Sequence, residues 1–113
     1  MTATKDEREF FDPVALPWRP APGYPRGVWE QIIAGGVDEG VATRLLRFEP
    51  GAGNDAVVTH DFWEEIYILS GTLECGGQPY PAGSVAVRPP GMPHGPFHSA
   101  GGCVTFEVRY RAR

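Results

Sequence analysis

Residues 83–98 read GSVAVRPPGMPHGPFH. A β-branched run, Ser84 to Val87, feeds into Pro89-Pro90-Gly91-Met92-Pro93. Proline fixes φ and removes a backbone donor, so this segment is neither helix nor central strand. It is a stiff turn that delivers His94 to a fixed place, with His98 four residues on. Histidine is the commonest metal ligand, and one held on a pre-ordered backbone loses little entropy on binding. Taken alone, the stretch reads equally well as a Pro-rich surface turn with incidental histidines.

A second stretch, residues 58–71, decides between these readings: VTHDFWEEIYILSG. It holds the remaining histidine, His60, with Glu64 four residues on and an apolar run, Ile66 to Leu69, ending at Gly71. All three histidines of the chain therefore lie in two short segments, each joined to a β-type run. Imidazole and carboxylate are the ligand types for iron, manganese, nickel or zinc. Glu64 and Glu65 are adjacent, so on a strand they point to opposite faces.

At these residues the sequence resembles the cupin superfamily. His60-x3-Glu64-x6-Gly71 fits the second half of the first cupin motif, G-x5-H-x-H-x3,4-E-x6-G, with Gly53 near the place of its leading glycine. Gly83-x5-Pro89-x-Gly91-x2-His94 fits the second motif, G-x5-P-x-G-x2-H-x3-N, at every fixed position but the last. Two motifs in the right order, a short connection apart, are far more specific than one. The run EEIYILSG is most similar to small cupins related to the zinc-binding domain of certain anti-sigma factors and to acetylacetone-cleaving dioxygenases. There are two departures: Val58 stands where the first histidine of H-x-H belongs, and His98 stands where the asparagine belongs.

The resemblance implies one divalent transition metal ion (Fe, Mn, Ni or Zn) held by His60, Glu64 and His94, with Glu65 left for solvent or a partner. Two imidazoles and one carboxylate are the set that non-haem Fe(II) oxygenases use. His98 has two readings: a fourth ligand, restoring the usual three histidines and a glutamate, or a pocket or surface histidine without metal. Val58 opens the face where substrate enters, and Phe62, Trp63 and Phe97 flank the ligand segments as pocket walls. The implied activity is that of a dioxygenase on a small dicarbonyl, enolisable or aromatic molecule. The alternatives are a non-oxidative metal-dependent lyase, isomerase or hydrolase, and a non-catalytic metal or small-ligand binding module. The family also implies a homodimer.

The rest of the chain agrees with this frame. Its 113 residues suit one domain with one modest core. Net charge is −4 and basic residues form no run, so nothing points to nucleic acid or an anionic membrane. No apolar stretch reaches membrane-span length and no signal-peptide pattern opens the chain. Cys75 and Cys103 form no CxxC and read as free thiols of a cytoplasmic protein. There is no GxSxG, P-loop or GxGxxG-helix pattern.

Residues 1–26 carry Pro13, Pro17, Pro20, Pro22 and Pro25 together with Phe10, Phe11, Val14, Leu16, Trp18 and Tyr24. This is an extended Pro-rich arm with too many apolar residues for a solvated tail, expected to pack on the barrel or on a partner subunit. Residues 27–113 are the cupin domain. Strands are expected at Val28–Ile33, Val41–Glu49, Val57–His60, Glu64–Ser70, Thr72–Cys75, Ser84–Val87 and Cys103–Arg111, with Glu49–Asn54 as a turn and Asp61–Trp63 as a bend. The strand from Glu64 has apolar residues on both parities and is expected to be covered on both faces. The last strand alternates cleanly, with Val104, Phe106, Val108 and Tyr110 on one face and Thr105, Glu107, Arg109 and Arg111 on the other. Turn signals every 8 to 12 residues or so and no long apolar 3.6-residue period give an all-β fold, an antiparallel barrel or jelly roll.

Overall fold

A computed structural model of the chain describes residues 4–111. The first three residues of the arm and the last two of the domain lie outside the described residues. The strands are β1 (Arg19–Pro20), β2 (Val28–Gly35), β3 (Ala42–Phe48), β4 (Ala52–Asn54), β5 (Trp63–Cys75), β6 (Gln78–Pro81), β7 (Val85–Arg88), β8 (Phe97–Ser99) and β9 (Cys103–Tyr110). A single turn of 3-10 helix spans Pro13–Ala15. Every pairing is antiparallel, in the order β1-β2-β3-β9-β5-β8-β4, with β6 and β7 also on β5. The expected all-β antiparallel barrel is thus the observed one.

β5 closes the barrel because it belongs to both sides. Glu64 to Tyr67 lie between β9 and β7, while Thr72 to Cys75 pair with β6 and the last two also with β8. The change of direction falls at a register shift between Ile68 and Ser70, as a β-bulge bends a strand. Gly71 follows it with φ +75°, and a side chain there would strike the Gly102 carbonyl and the Cys103 Cα. Only glycine combines that φ with that approach.

The barrel interior changes character along its length. At one end Val28, Leu46, Phe48, Ala52, Ile68, Leu73, Phe97 and Cys103 form an apolar core. Towards the other end the inward positions turn polar: Glu30 on β2, Arg44 on β3, Glu64 on β5, Arg88 on β7, and Glu107 and Arg109 on β9, all buried. The alternation read in β9 is real, and its polar side is the one that faces inward. Thr105, Glu107 and Arg109 are buried, while Val104, Phe106, Val108 and Tyr110 lie half-buried on the outer face.

The arm lies along part of that outer face. Asp12 caps the 3-10 turn by accepting from Val14 N at 3.0 Å. The buried Gln31 side chain donates to the Pro13 and Leu16 carbonyls at 2.9 and 3.0 Å. The Arg47 guanidinium lies 4.8 Å from the Trp18 ring and 6.0 Å from that of Trp29. Beyond β1 the chain turns inward: Ala21 joins the core and Tyr24 meets Phe48 edge-on at 5.7 Å.

Several local expectations are corrected. Val57–His60 is no strand, and Val58 makes only an isolated bridge to His94. The expected turn Glu49–Asn54 contains β4, which pairs with the short β8. The outer parity of β5 is not covered by the described residues, since Tyr67 and Leu69 remain 45% and 47% exposed. No helix of the described residues is long and apolar enough to cross a membrane.

Candidate metal centre

Backbone bonds bring the two histidine segments together. Val58 and His94 exchange both N–H···O bonds at 2.9 Å, and Gly91 N donates to the His60 carbonyl at 2.7 Å. The stiff Pro89–Pro93 turn therefore does not float, because it is fastened to the segment that carries His60. The bend at Asp61–Phe62 then returns the chain into β5 with Glu64 pointing inward. The result is a cluster of His60, Glu64 and His94, whose candidate ligand atoms all lie within 4.8 Å of one another. The two imidazoles are 4.9 Å apart between ring centroids.

Phe62 and Phe97 wall the cluster. Phe62 stacks on His60 at 4.5 Å with 10° between planes, and Phe97 lies 5.5 Å from the His94 ring. Val58 lines the same cavity as His60, Glu64 and His94, a space of about 560 Å³. Trp63 does not. It is one residue from Glu64 on a strand, so it points outward, where it stacks parallel on Tyr110 at 6.1 Å. The expectation that Trp63 walls the pocket is corrected by strand parity.

His98 is not brought together with the other three. On β8 it pairs with Gly53, and a Cβ at Gly53 would collide with the His98 Nδ1. The missing side chain thus lets the imidazole lie against the strand, where its Nε2 meets Asp55 Oδ1 at 2.8 Å and its side chain is 40% exposed. The surface reading of His98 agrees with this position, and the fourth-ligand reading does not.

Around the cluster runs a chain of buried ion pairs that the sequence reading missed. Arg44 donates to Glu30 Oε1 at 2.7 Å and to Glu107 Oε1 at 3.0 Å. Arg109 donates to Glu64 Oε2 at 2.9 Å, and Arg88 reaches Glu64 Oε1 at 3.3 Å. The register produces this set, with Glu64 directly opposite Arg88 on one side and Arg109 on the other, and Arg44 opposite Glu107. Three buried carboxylates (Glu30, Glu64, Glu107) balance three buried guanidiniums (Arg44, Arg88, Arg109). Burial works against the Arg44 charge, yet Glu107 and Glu30 outweigh it and raise its pKa. Tyr24, reaching into the cavity from the arm, has its phenol pKa raised by burial and then by Glu107. The alternating charges of β3 and β9 were a visible signal, but which face they occupied was not.

Both histidines are held neutral. Burial, then the Arg88 charge and His60, pull the His94 pKa down to about 4. Burial also lowers that of His60, with Arg109 adding to it and Glu64 opposing. Neutral imidazole is the form that ligates metal, so neither histidine needs a proton removed first. Arg109 fixes the Glu64 carboxylate as an outer partner orients a ligating group. These residues fit a divalent transition ion.

Comparison with known proteins agrees with the architecture. An RmlC-like cupin from Shewanella frigidimarina superposes with a TM-score of 0.74 at 19% identity, covering 96% of this chain and 95% of that one. A putative acetylacetone dioxygenase from Methylibium petroleiphilum gives 0.75 at 15% identity, covering 96% and 81%. The complex of Rhodobacter sphaeroides SigE with the anti-sigma ChrR gives 0.66 at 22% identity, covering 85% of this chain and 50% of that chain. At these identities the likeness is one of fold. A search of curated protein sequences gave no significant match. The sequence profile described as the ChrR cupin-like domain matches residues 6–111, nearly the whole chain, and the protein belongs to that cupin family.

Proposed function

We propose that this protein is a metal-dependent cupin enzyme that uses dioxygen to cleave a small enolisable or dicarbonyl compound. The observation that carries the reading is the convergence of His60, Glu64 and His94 on one wall of a cavity of about 560 Å³, a size that suits a small organic ligand. A divalent ion held there would supply Lewis acidity and, if redox-active, electrons for oxygen chemistry. The chain's own residues do the rest. Arg109 holds Glu64 in place, Phe62 and Phe97 keep water from the ring faces of His60 and His94, and Val58 presents a hydrocarbon side chain where a fourth ligand would crowd the substrate. Likeness in fold to a putative acetylacetone dioxygenase supports the oxygenase choice.

A second reading rests on the cavity's charged lining. Arg44, Arg109, Glu30 and Glu107 face the space together with the Tyr24 phenol, which favours a hydroxylated or acidic substrate and a non-oxidative isomerase, lyase or hydrolase. The test is to load the purified protein with Fe(II), Mn(II), Ni(II) or Zn(II) and follow dicarbonyls and hydroxy-carbonyl acids with and without oxygen. Oxygen uptake in step with substrate loss supports the oxygenase. Turnover that ignores oxygen supports the second reading, and ligand binding without turnover under any metal leaves a binding module.

A further inference from the structure

Arg88 stands where the candidate site is most contested. It ends β7, directly before the Pro89-Pro90 turn that carries His94, and is the cross-strand partner of Glu64. Its guanidinium is buried. Nη1 lies 3.3 Å from Glu64 Oε1 and 3.4 Å from His94 Nδ1, so one cationic nitrogen touches two of the three candidate ligands. Both contacts are long for charge-assisted hydrogen bonds, which run at about 2.7–2.9 Å. The Arg109 bond to the other oxygen of Glu64, at 2.9 Å, is not. Glu64 is therefore anchored through Oε2 by Arg109, while Oε1 is left to a cation that holds it loosely.

Two further observations give this cation somewhere to go. Arg88 Nη2 already reaches away from the cluster, to Cys75 Sγ at 3.6 Å. Beyond it lies a second cavity of about 400 Å³, lined by Arg88, Ile68, Cys75, Tyr80 and Met92, which shares His94 with the first. Ile66, Leu73 and His94 form the wall between the two spaces, and Arg88 lines the second space next to His94. The charges also count: among the described residues the six buried ionic groups balance, three against three, before any metal enters. A dication that joined them with Arg88 in place would add two uncompensated positive charges beside a third.

We propose that Arg88 is a built-in competitor for the metal: its guanidinium fills the gap between Glu64 and His94 in the metal-free protein and withdraws toward Cys75 when an ion binds. The inference rests on the metal reading of the site. It makes the metal-free barrel a stable folded state with its charges satisfied. It also makes metal affinity weaker than the three ligands alone would give, because each ion bound must displace an organic cation.

The experiment is a competition titration of the full chain with Co(II) and Zn(II) against a chromophoric chelator, alongside the visible bands of bound Co(II). Arg88→Met keeps the apolar stem and removes the charge; Arg88→Gln is the second variant should the first fold poorly, with the far-UV spectrum and thermal transition reporting the fold. The expected result is metal binding at least 10-fold tighter than wild type in either variant, with Arg88→Lys in between. His94→Ala should abolish binding in the wild-type and Arg88→Met backgrounds alike. Affinity equal to or weaker than wild type in folded Arg88 variants, with His94→Ala still abolishing binding, would overturn the competitor role and leave the metal site standing. No binding by wild type or by any folded Arg88 variant would overturn both.

Discussion

Arg44→Met tests the buried ionic chain without touching any candidate ligand. Arg44 is the bridge between Glu30 and Glu107, at 2.7 and 3.0 Å, and its side chain is 5% exposed. Methionine fills much of the same volume, so cavity formation contributes little and the lost charge dominates. Removing one partner of a buried pair costs about 3–5 kcal/mol, because the other charge stays buried and uncompensated. Arg44 has two such partners. Relief comes from Arg19, 2.7 Å from Glu30, and from Arg109, 3.9 Å from Glu107, which places the expected loss within that range rather than above it. For 113 residues the unfolding entropy is about 0.24 kcal/mol/K, so a loss of about 4 kcal/mol lowers the melting temperature by about 17 °C. Urea unfolding followed by tryptophan fluorescence should show the same loss as a lower midpoint with an unchanged slope. Adding Glu107→Gln to Arg44→Met should cost less than the two single losses combined, as expected for groups in direct contact. A loss under about 1 kcal/mol for Arg44→Met, or strict additivity in the double variant, would mean that these charges are hydrated from the cavity and that the chain of pairs does not stabilise the barrel.

The other predictions concern the centre, its protonation, one core hydroxyl and assembly. Metal analysis of protein purified without a histidine tag should give close to one ion per chain for wild type and for His98→Ala, and none for His94→Ala; loss of metal in His98→Ala would restore His98 as a ligand. In the metal-free protein His94 should weaken stability on the acid side only. Above pH 6.5 it is neutral folded or unfolded; as pH falls from 6.5 to about 4 the unfolded chain takes up a proton that the folded chain refuses. Stability should therefore fall through that window and level below it, and His94→Gln should flatten the profile; an identical slope in wild type and variant would rule the assignment out. The Thr105 hydroxyl is buried without a hydrogen-bond partner among the described residues, so Thr105→Val should raise stability by about 1 kcal/mol in chemical unfolding, whereas a loss would mean that the hydroxyl is bonded. We propose a homodimer that covers the exposed Tyr67, Leu69, Val85 and Val87 of β5 and β7; light scattering should give twice the chain mass, Val87→Glu should halve it, and a wild-type monomer at high concentration would exclude it.

What the sequence disclosed of the site was its spacing. His60, Glu64 and His94 come together because fixed intervals place them on a bend, a strand and a stiff turn, and those intervals are readable. Parity was readable too, but its sense was not. In β9 the rule that apolar residues face inward points the wrong way, because the inside of this barrel is partly a cavity with charged walls and part of the outside lies under the arm. Trp63 fails as a pocket residue for the same reason, since it alternates with Glu64. His98 stayed open between two readings because its position depends on Gly53, a partner 45 positions away in a strand of three residues. Short strands such as β4 and β8 owe their existence to tertiary pairing, and a run of glycine, proline and asparagine carries no periodicity to announce them.

The bridge between Val58 and His94 has a consequence for how such a site can change over time. The two residues hold each other through main-chain atoms alone, so the identity of the side chain at position 58 plays no part in placing His94. Whether that position carries an imidazole or a hydrocarbon is a matter for the cavity and not for the scaffold. A substitution at position 58 can therefore change what faces the cavity while the main-chain bridge that places His94 stays as it is.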